Sequence, residues 1–223
     1  GGNGGLMRYE PATEKIGFLH LPKQLGKDAT IFDLHLDARQ NLWIGTSNGM
    51  IRVVLADLKF GEIPDEIPNG SCQIFQTEPA NPHSLRYNLV TSFCPDPLEP
   101  ERYLWVGTKG GGLNLFDKTS GKFLHFTTQN SDLPNDVVYG ILPGNNPEAE
   151  GQSANTLWGS TNRGLFRLTI LPGEKGAART YRFRNFTALD GLQDDEFNTS
   201  SFARAPDGRL FFGGVNGLTA FYP

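Results

Sequence analysis

The sequence predicts an all-β fold built from a repeated four-stranded unit. Four segments share one pattern: residues 42–46 (LWIGT), 104–108 (LWVGT), a weaker copy at 157–161 (LWGST) and a fourth at 210–214 (LFFGG). The second residues of these copies are 62, 53 and 53 positions apart. A propeller blade with ordinary loops takes roughly 40–50 residues. Plentiful Gly and Pro indicate frequent turns. The predicted fold class is therefore a β-propeller of four-stranded antiparallel blades.

Each copy of the pattern is expected to be the second strand, B, of a blade. An apolar strand A precedes it, at 30–36, 89–94, 137–142 and 199–203. A glycine turn and strand C follow, at 49–54, 112–116, 164–168 and 217–221. Strand D follows the first three copies, at 72–76, 122–127 and 180–186. Gly49, Gly208 and Gly217, each after Asn or Asp, supply the positive φ that tight reversals need.

The strand count predicts how the blades divide the chain. Segments 6–9 and 16–20 are expected to be strands C and D of a blade that ends within residues 1–27. Further blades are expected at 28–80, 86–130 and 135–188, with an incomplete last blade at 197–223. Because a propeller removes its exposed edges by closing, we expect 1–223 to be an arc of about four blades in a larger ring. The alternative is a four-bladed ring with one spare strand.

The composition argues against several classes of protein. The net charge is −4 and the basic residues are scattered, whereas a nucleic-acid surface needs a concentrated basic face. We therefore expect no nucleic-acid contact. The apolar runs are short compared with the roughly 20 residues that cross a bilayer. Cys72 and Cys94 are expected to be unpaired small apolar side chains rather than a disulfide.

The repeat and the C-terminal residues together resemble the two-component regulator propeller family. The strand at 104–108, the strand GLNLFD at 112–117 and the linker DLPNDVV at 132–138 carry the repeat resemblance. The residues DGLQ at 190–193 and FGGVNGLT at 212–219 resemble the family's last blade. The resemblance covers essentially the whole chain. The copy at 157–161 departs from it, since Gly159 stands where the family has an aliphatic residue. We expect that blade to be distorted or adapted.

This resemblance implies a sensor. Members of the family form the extracytoplasmic part of sensor and hybrid histidine kinases, so a periplasmic location in an inner-membrane protein is implied. Further blades, an immunoglobulin-like domain directly after this segment, a membrane span and a cytoplasmic kinase are implied for the parent, which is expected to be a dimer. Many members respond to oligosaccharides, so an oligosaccharide or other small molecule is the expected ligand. No cofactor is expected, and the segment itself is expected to be non-catalytic.

Candidate ligand-binding residues follow from the blade topology. Successive strands run in opposite directions, so the D–A and B–C loops of a propeller share one face. Ligand-binding sites are usually concave, and in a propeller the loops of one face surround the central channel. The polar and aromatic side chains that these loops offer suit a sugar or an acidic sugar. They are Arg86, Tyr87, Asn88, Lys109, Asn135, Asp136 and Arg163.

Two other classes of function stay open at this point. The first is a protein-interaction or dimerisation scaffold in a protein without a kinase. The second is a propeller lyase or glycosidase, which would need acid and base groups on the inner strands. Asp33, His35 and Asp136 are the few residues of that type near predicted A strands.

The remaining motifs predict structural roles. No histidine pair has the i, i+4 helical spacing typical of a zinc site, so no metal site is expected. The acidic stretch from Asp190 to Glu196 is expected to be a solvated loop. Trp43, Trp105 and Trp158 lie in B strands, where packing between blades is a more common role than stacking on sugars.

Overall fold

A computed structural model describes residues 5–26, 28–55, 67, 69–144, 155–173 and 178–223. These residues are all-β, with 17 strands and short 3-10 helices at Lys23–Leu25, Asn69–Ser71 and Ala188–Asp190. No helix within these ranges has the length and apolar character that a membrane span requires. The chain divides into two compact units, Gly1–Val90 and Thr91–Pro223.

The first unit contains two antiparallel sheets. One is a hairpin of β1 (Gly5–Glu10) and β2 (Lys15–His20). The other, blade I, has the order β3 (Ile31–Leu36), β4 (Asn41–Thr46), β5 (Gly49–Val54) and β6 (Cys72–Phe75). Leu6 and Leu19 of the hairpin pack against the core of blade I, which includes the buried Ile51 and Val53. Side chains on one face of each sheet thus form the core of this unit.

The second unit contains three antiparallel sheets. Blade II is β7 (Val90–Pro95), β8 (Tyr103–Thr108), β9 (Leu113–Asp117) and β10 (Lys122–Phe126). Blade III is β11 (Val138–Pro143), β12 (Thr156–Thr161), β13 (Gly164–Leu171) and β14 (Thr180–Phe186). Blade IV has three described strands, β15 (Phe197–Arg204), β16 (Leu210–Gly214) and β17 (Gly217–Phe221). One buried cluster joins blades II and III, and another joins blades III and IV.

The predicted fold class, a β-propeller of antiparallel blades, is confirmed. Strands pair in chain order within every sheet, as an A-B-C-D meander requires. β5, β14, β16 and β17 begin and end at the predicted residues. Gly49, Gly208 and Gly217 all have the expected positive φ. The limits of each blade along the chain and the size of the ring stay predictions.

Strand A is irregular in three blades. The pairing of A with B shifts between Ile31 and Asp33 in blade I, and between Val138 and Gly140 in blade III. In blade IV the shift extends from Phe197 to Phe202 and includes Ser200 with φ of +56°. A bulge interrupts the alternation of side chains along a strand. This explains why β15 begins two residues before the predicted start at 199.

The Leu-Trp-x-Gly-Thr pattern has a specific structural basis in its tryptophan. Trp43 and Trp105 are buried, and each indole Nε1–H donates to an aspartate that directly follows strand A. The acceptors are Asp37 at 2.9 Å and Asp96 at 3.0 Å. Trp158 is also buried, and it packs on Phe186 with ring centroids 4.9 Å apart. The predicted packing role of the three tryptophans is confirmed.

The threonine of the pattern closes the B–C turn. The hydroxyls of Thr46, Thr108 and Thr161 each donate at 2.8 Å to the carbonyl of the glycine that follows the turn. The same hydroxyl oxygens accept a backbone N–H from within the turn, at 2.9–3.1 Å. Because each buried hydroxyl has both a donor and an acceptor partner, its hydrogen bonds offset the cost of removing it from water. Val or Ala at these positions would leave turn groups unpaired.

The departure at Gly159 is an adaptation in a part of blade III where the strand pairing is regular. Gly159 pairs with Phe166 across β12 and β13, where blade I has Ile44 opposite Ile51. The ring of Phe166 occupies the space that a side chain at Gly159 would need, and Phe166 is fully buried. A small residue opposite a large one thus conserves volume in the core. β12 keeps an uninterrupted register with β13, so the blade is not distorted there.

Neither Cys72 nor Cys94 forms a disulfide bond, as the sequence predicts. Cys94 is buried in β7 within the cluster that joins blades II and III, and Cys72 is half-buried in β6. They behave as small apolar side chains, a common role for free cysteine.

Candidate ligand-binding face

The B–C turns and the D–A loops are joined by the same hydrogen bonds in three places. A glycine that begins strand C or directly precedes it donates its N–H to the carbonyl of a residue two positions before the next strand A. The pairs are Gly49 to Asn88 at 2.5 Å, Gly112 to Asp136 at 2.8 Å and Gly164 to Asp195 at 2.6 Å. The repetition shows that this contact belongs to the architecture of the repeat.

The side chains of the same three residues fix the end of strand D. Their Oδ1 atoms accept a backbone N–H two residues beyond that strand: Thr77 donates to Asn88 at 2.7 Å, Thr128 to Asp136 at 2.8 Å and Ala188 to Asp195 at 2.6 Å. Asn and Asp commonly bond nearby backbone groups in this way. We call Asn88, Asp136 and Asp195 the loop clamps, because each joins strand D, the next strand A and a B–C turn.

The loop clamps include two of the residues predicted to bind a ligand, Asn88 and Asp136. Both have extensive hydrogen bonds within the protein, and Asp136 also accepts from the hydroxyl of Thr128 at 3.2 Å. Asp195 lies in the stretch predicted to be a solvated loop, and it has the same structural role instead. These carboxylate and amide groups fix the loops of the face on which a ligand was predicted to bind.

The other predicted residues are distributed over both units. Arg86 and Tyr87 lie exposed in the first unit, just before β7. Asn135 is half-buried in the second unit and accepts the N–H of Val137 at 2.8 Å, so it shapes the approach to β11. Lys109 and Arg163 are exposed in the B–C turns of blades II and III. Within the second unit, Asn135 and Asp136 are sequence neighbours, and Lys109 lies beside β11.

A cluster of polar side chains surrounds Tyr139 of β11. The phenol of Tyr139 donates to Oδ1 of Asn162 at 2.6 Å. Nζ of Lys109 lies 5.8 Å from the centre of the Tyr139 ring, within the range of a cation–π contact. The charge of Glu196 also acts on the phenol. We call Lys109, Tyr139, Asn162 and Glu196 the Tyr139 cluster.

The Tyr139 phenol is held in its neutral form. Burial raises its pKa most, and the negative charge of Glu196 raises it further, while the hydrogen bond with Asn162 opposes the shift. At neutral pH the group therefore stays an O–H donor. The cluster combines a neutral phenol, an amide, an ammonium and a carboxylate. Groups of these four kinds are able to form hydrogen bonds or ion pairs with polar ligands.

Of the Tyr139 cluster, the sequence analysis identified Lys109 and missed Tyr139, Asn162 and Glu196. Tyr139 lies inside a predicted strand A, where a side chain is normally assigned to packing. The bulge between Val138 and Gly140 changes the direction of this residue relative to simple alternation. Asn162 is next to Arg163 in the same turn, so a survey of whole turns would have found it.

The residues considered for catalysis belong to both compact units. Asp33 and His35 lie on β3 of the first unit, whereas Asp136 is a loop clamp of the second. Asp33 accepts the N–H of Leu34 at 2.9 Å. Across the part of the chain that the structure describes, no group of three His, Cys, Asp or Glu residues is arranged to hold a metal ion.

Comparison with known proteins gives a match in structure only. No protein-family model and no curated protein matches the sequence. Solved structures match over nearly the whole chain. The extracellular domain of BT3049 from B. thetaiotaomicron, assigned to a hybrid two-component system, matches 100% of this chain and 31% of its own length, with TM-score 0.59 and 17% identity.

Two further structures match as well. The extracellular domain of BT4673 from B. thetaiotaomicron, assigned to a one-component system, has TM-score 0.63 and 14% identity over 99% of this chain and 25% of its own. PorZ of Porphyromonas gingivalis, a surface component of the type-IX secretion system, has TM-score 0.63 and 13% identity. The match covers 99% of this chain and 30% of PorZ. The chain thus spans a quarter to a third of these proteins. It has the β-propeller fold that extracellular domains of bacterial signalling proteins also have.

Proposed function

We propose that this chain is a sensory propeller segment of an extracytoplasmic domain in a two-component signalling protein. The observation that carries the proposal is the likeness in fold, over the whole chain, to the extracellular domain of a hybrid two-component system. The repeat and last-blade residues that resemble the same class of sensor support it independently. The proposed parent is an inner-membrane histidine kinase, dimeric, with an immunoglobulin-like domain after the propeller. The segment acts by binding, without chemistry of its own.

The proposed ligand is an oligosaccharide that binds on the face of the B–C and D–A loops. The Tyr139 cluster supplies neutral donors and acceptors for sugar hydroxyls, and Lys109 and Arg163 supply cations for an acidic sugar. The loop clamps keep these turns in fixed positions before a ligand arrives. A preorganised site loses less entropy on binding than a flexible one.

Binding is tested with the protein that carries this chain and a panel of neutral and uronic-acid-containing oligosaccharides. Isothermal titration calorimetry would compare the parent sequence with Lys109→Ala and with Lys122→Ala. Lys122 begins β10 at the opposite end of the strands and serves as a matched control. We expect Lys109→Ala to weaken binding about tenfold, since one charge-assisted contact is lost. Lys122→Ala should leave the affinity unchanged.

Three results would count against the proposal. Absence of binding to every saccharide would contradict the oligosaccharide ligand. Equal affinity of the Lys109 and Lys122 variants would contradict this location of the site. Release of cleaved or unsaturated sugar products, detected by chromatography of the same mixtures, would show that the segment is catalytic.

A scaffold function is the second candidate, favoured by the likeness to PorZ, a secretion-system surface component. A scaffold propeller would bind a protein partner and respond to no sugar. A transcriptional reporter in cells carrying the native gene separates the two functions. Induction by a saccharide, lost with Lys109→Ala, supports the sensor; no induction by any saccharide favours the scaffold.

A further inference from the structure

The Tyr139 cluster contains two opposite charges that do not neutralise each other. Lys109 and Glu196 are both exposed, and neither forms an ion pair within the residues that the structure describes. The charge of Glu196 acts on the phenol of Tyr139, whereas Lys109 lies over the face of the ring. The two charges thus approach Tyr139 at different places. An exposed charge without a protein partner is able to pair with a complementary group of a ligand.

Glu196 differs from the other acidic residues of its loop. Its carboxylate makes no hydrogen bond in the described part of the chain, although its backbone is held firmly. The carbonyl of Glu196 accepts the N–H of Val215 at 3.1 Å and Nε2 of Gln193 at 3.2 Å. The carboxylates of the three neighbouring acidic residues instead accept nearby backbone N–H groups: Asp190 from Thr187, Asp194 from Asp195, and Asp195 from Ala188. Glu196 therefore offers a free acceptor from a fixed position.

Tyr139 fixes the orientation of the amide of Asn162. Tyr139 is only 6% exposed, whereas Asn162 is exposed. The phenol donates to Oδ1 of Asn162 at 2.6 Å, so Nδ2 is directed away from the phenol. An amide nitrogen only donates hydrogen bonds. Two donors, the ammonium of Lys109 and the amide of Asn162, therefore flank Tyr139.

We propose that Glu196 makes the Tyr139 cluster selective for an oligosaccharide in which a uronic acid is linked to a neutral sugar, an inference that rests on the proposed function. Lys109 and Nδ2 of Asn162 donate to the two oxygens of the uronic carboxylate. The carboxylate of Glu196 accepts from adjacent hydroxyl groups of the neutral sugar. A second uronic acid in the place of that sugar would bring two carboxylates together, which disfavours the charged form of both.

The selectivity is tested by isothermal titration calorimetry with the protein that carries this chain. Three disaccharides of the same linkage are compared. The first joins a uronic acid to a neutral hexose, the second is the carboxyl-reduced form of the first, and the third joins two uronic acids. We expect the first to bind about tenfold more tightly than either of the others, because the second loses a charge-assisted contact and the third adds a repulsion. Both preferences should decline as salt is raised.

Glu196→Gln removes the charge of the side chain and keeps its size. This variant should bind the disaccharide of two uronic acids about tenfold more tightly than the parent does, because the repulsion is lost. Asp207→Asn is the matched control, since it removes the same charge in the A–B turn of blade IV, at the opposite end of the strands. It should leave all three affinities unchanged.

Tyr139→Phe tests whether the phenol orients Asn162. Without the phenol hydroxyl the amide is free to rotate, so the mixed disaccharide should bind about fivefold more weakly. The carboxyl-reduced form should bind as it does to the parent. An equal loss for both ligands would show a merely structural role of the phenol and would overturn its assignment as a positioning residue.

The same titrations separate this proposal from the proposed function. If none of the three disaccharides binds, the oligosaccharide-binding function and the selectivity are both contradicted. If they bind with equal affinity, or if Glu196→Gln keeps the preference of the parent, only the selectivity assigned to Glu196 is overturned.

Discussion

The carboxylate of Asp96 is the most consequential polar group in the second unit. Its side chain is fully buried and accepts four hydrogen bonds. The donors are Nε1 of Trp105 at 3.0 Å, Nη1 of Arg179 at 3.1 Å, and the backbone N–H groups of Leu98 at 3.0 Å and Glu99 at 2.8 Å. It therefore connects the A–B turn of blade II, its tryptophan and the strand D region of blade III.

Asp96→Asn keeps the size of the side chain and removes its charge. Arg179, whose side chain is 13% exposed, keeps an ion pair with Glu99 but loses its buried partner. The amide group of the new asparagine also places its own N–H donors next to groups that donated hydrogen bonds to the carboxylate, and two donors cannot pair. Removal of one partner from a buried ion pair costs about 3–5 kcal/mol. Because Arg179 keeps its contact with Glu99, we expect Asp96→Asn to lose about 3 kcal/mol of stability. That is a large part of the roughly 5–15 kcal/mol that stabilises an ordinary domain.

Native-state hydrogen exchange is the suitable assay, since blades of a repeat protein need not unfold together. The opening free energy of β8 and β14 amides should fall by about 3 kcal/mol in Asp96→Asn. In the double variant with Arg179→Met, at least half of that loss should be recovered, because no buried cation is left unpaired. A loss below about 1 kcal/mol in the single variant, or no recovery in the double variant, would refute this reasoning.

Two further predictions concern the blade cores and acid stability. Gly159→Val should destabilise blade III by about 1–3 kcal/mol, because the new side chain meets the Phe166 ring. In urea melts, the double variant Gly159→Val with Phe166→Val should recover most of this loss. Additive effects of the two substitutions would contradict the complementary fit of the two residues. For Asp117, burial tends to raise the pKa, but the N–H groups of Thr119 and Ser120 and the Arg102 guanidinium lower it overall. Because the folded pKa lies below the unfolded one, this stabilisation is complete above pH of about 4 and is lost as the pH falls through the folded pKa. Asp117→Asn should remove that part of the acid dependence, and unchanged urea midpoints between pH of about 5 and 2 relative to the parent would contradict it.

The strands were predictable because their signals are local. A glycine turn followed by alternating apolar residues fixed the positions of β5 and β17, and the Leu-Trp repeat located each strand B. The predicted strand limits were wrong where the local sequence pattern and the strand pairing disagree. In β15, a bulge accommodates the polar stretch before Phe202. The sequence alone offers no signal for a register shift of that kind.

The candidate site was predictable only in part. The sequence identified the loops that lie together, but could not separate residues that bind the backbone from residues free to meet a ligand. Their polarity predicts that Asn88 and Asp136 bind a ligand, whereas the structure shows that both side chains accept hydrogen bonds from loop backbone. The hydrogen bond between Tyr139 and Asn162 joins residues 23 positions apart in the sequence, and it depends on the B–C turn of blade III lying beside β11.

The sequence by itself determined the all-β class, the four-stranded repeat, the glycine turns and the burial of the three tryptophans, because each depends on neighbours within a few residues. Tertiary structure alone decided which carboxylates serve the fold and which donors are left without an acceptor. The N–H of Trp105 donates to Asp96, whereas the N–H of Trp158 has no acceptor among the residues that the structure describes, where Gly144 stands in the place of Asp96. Such partners are set by the distance between strands in space, which depends on how the sheets pack rather than on residue spacing.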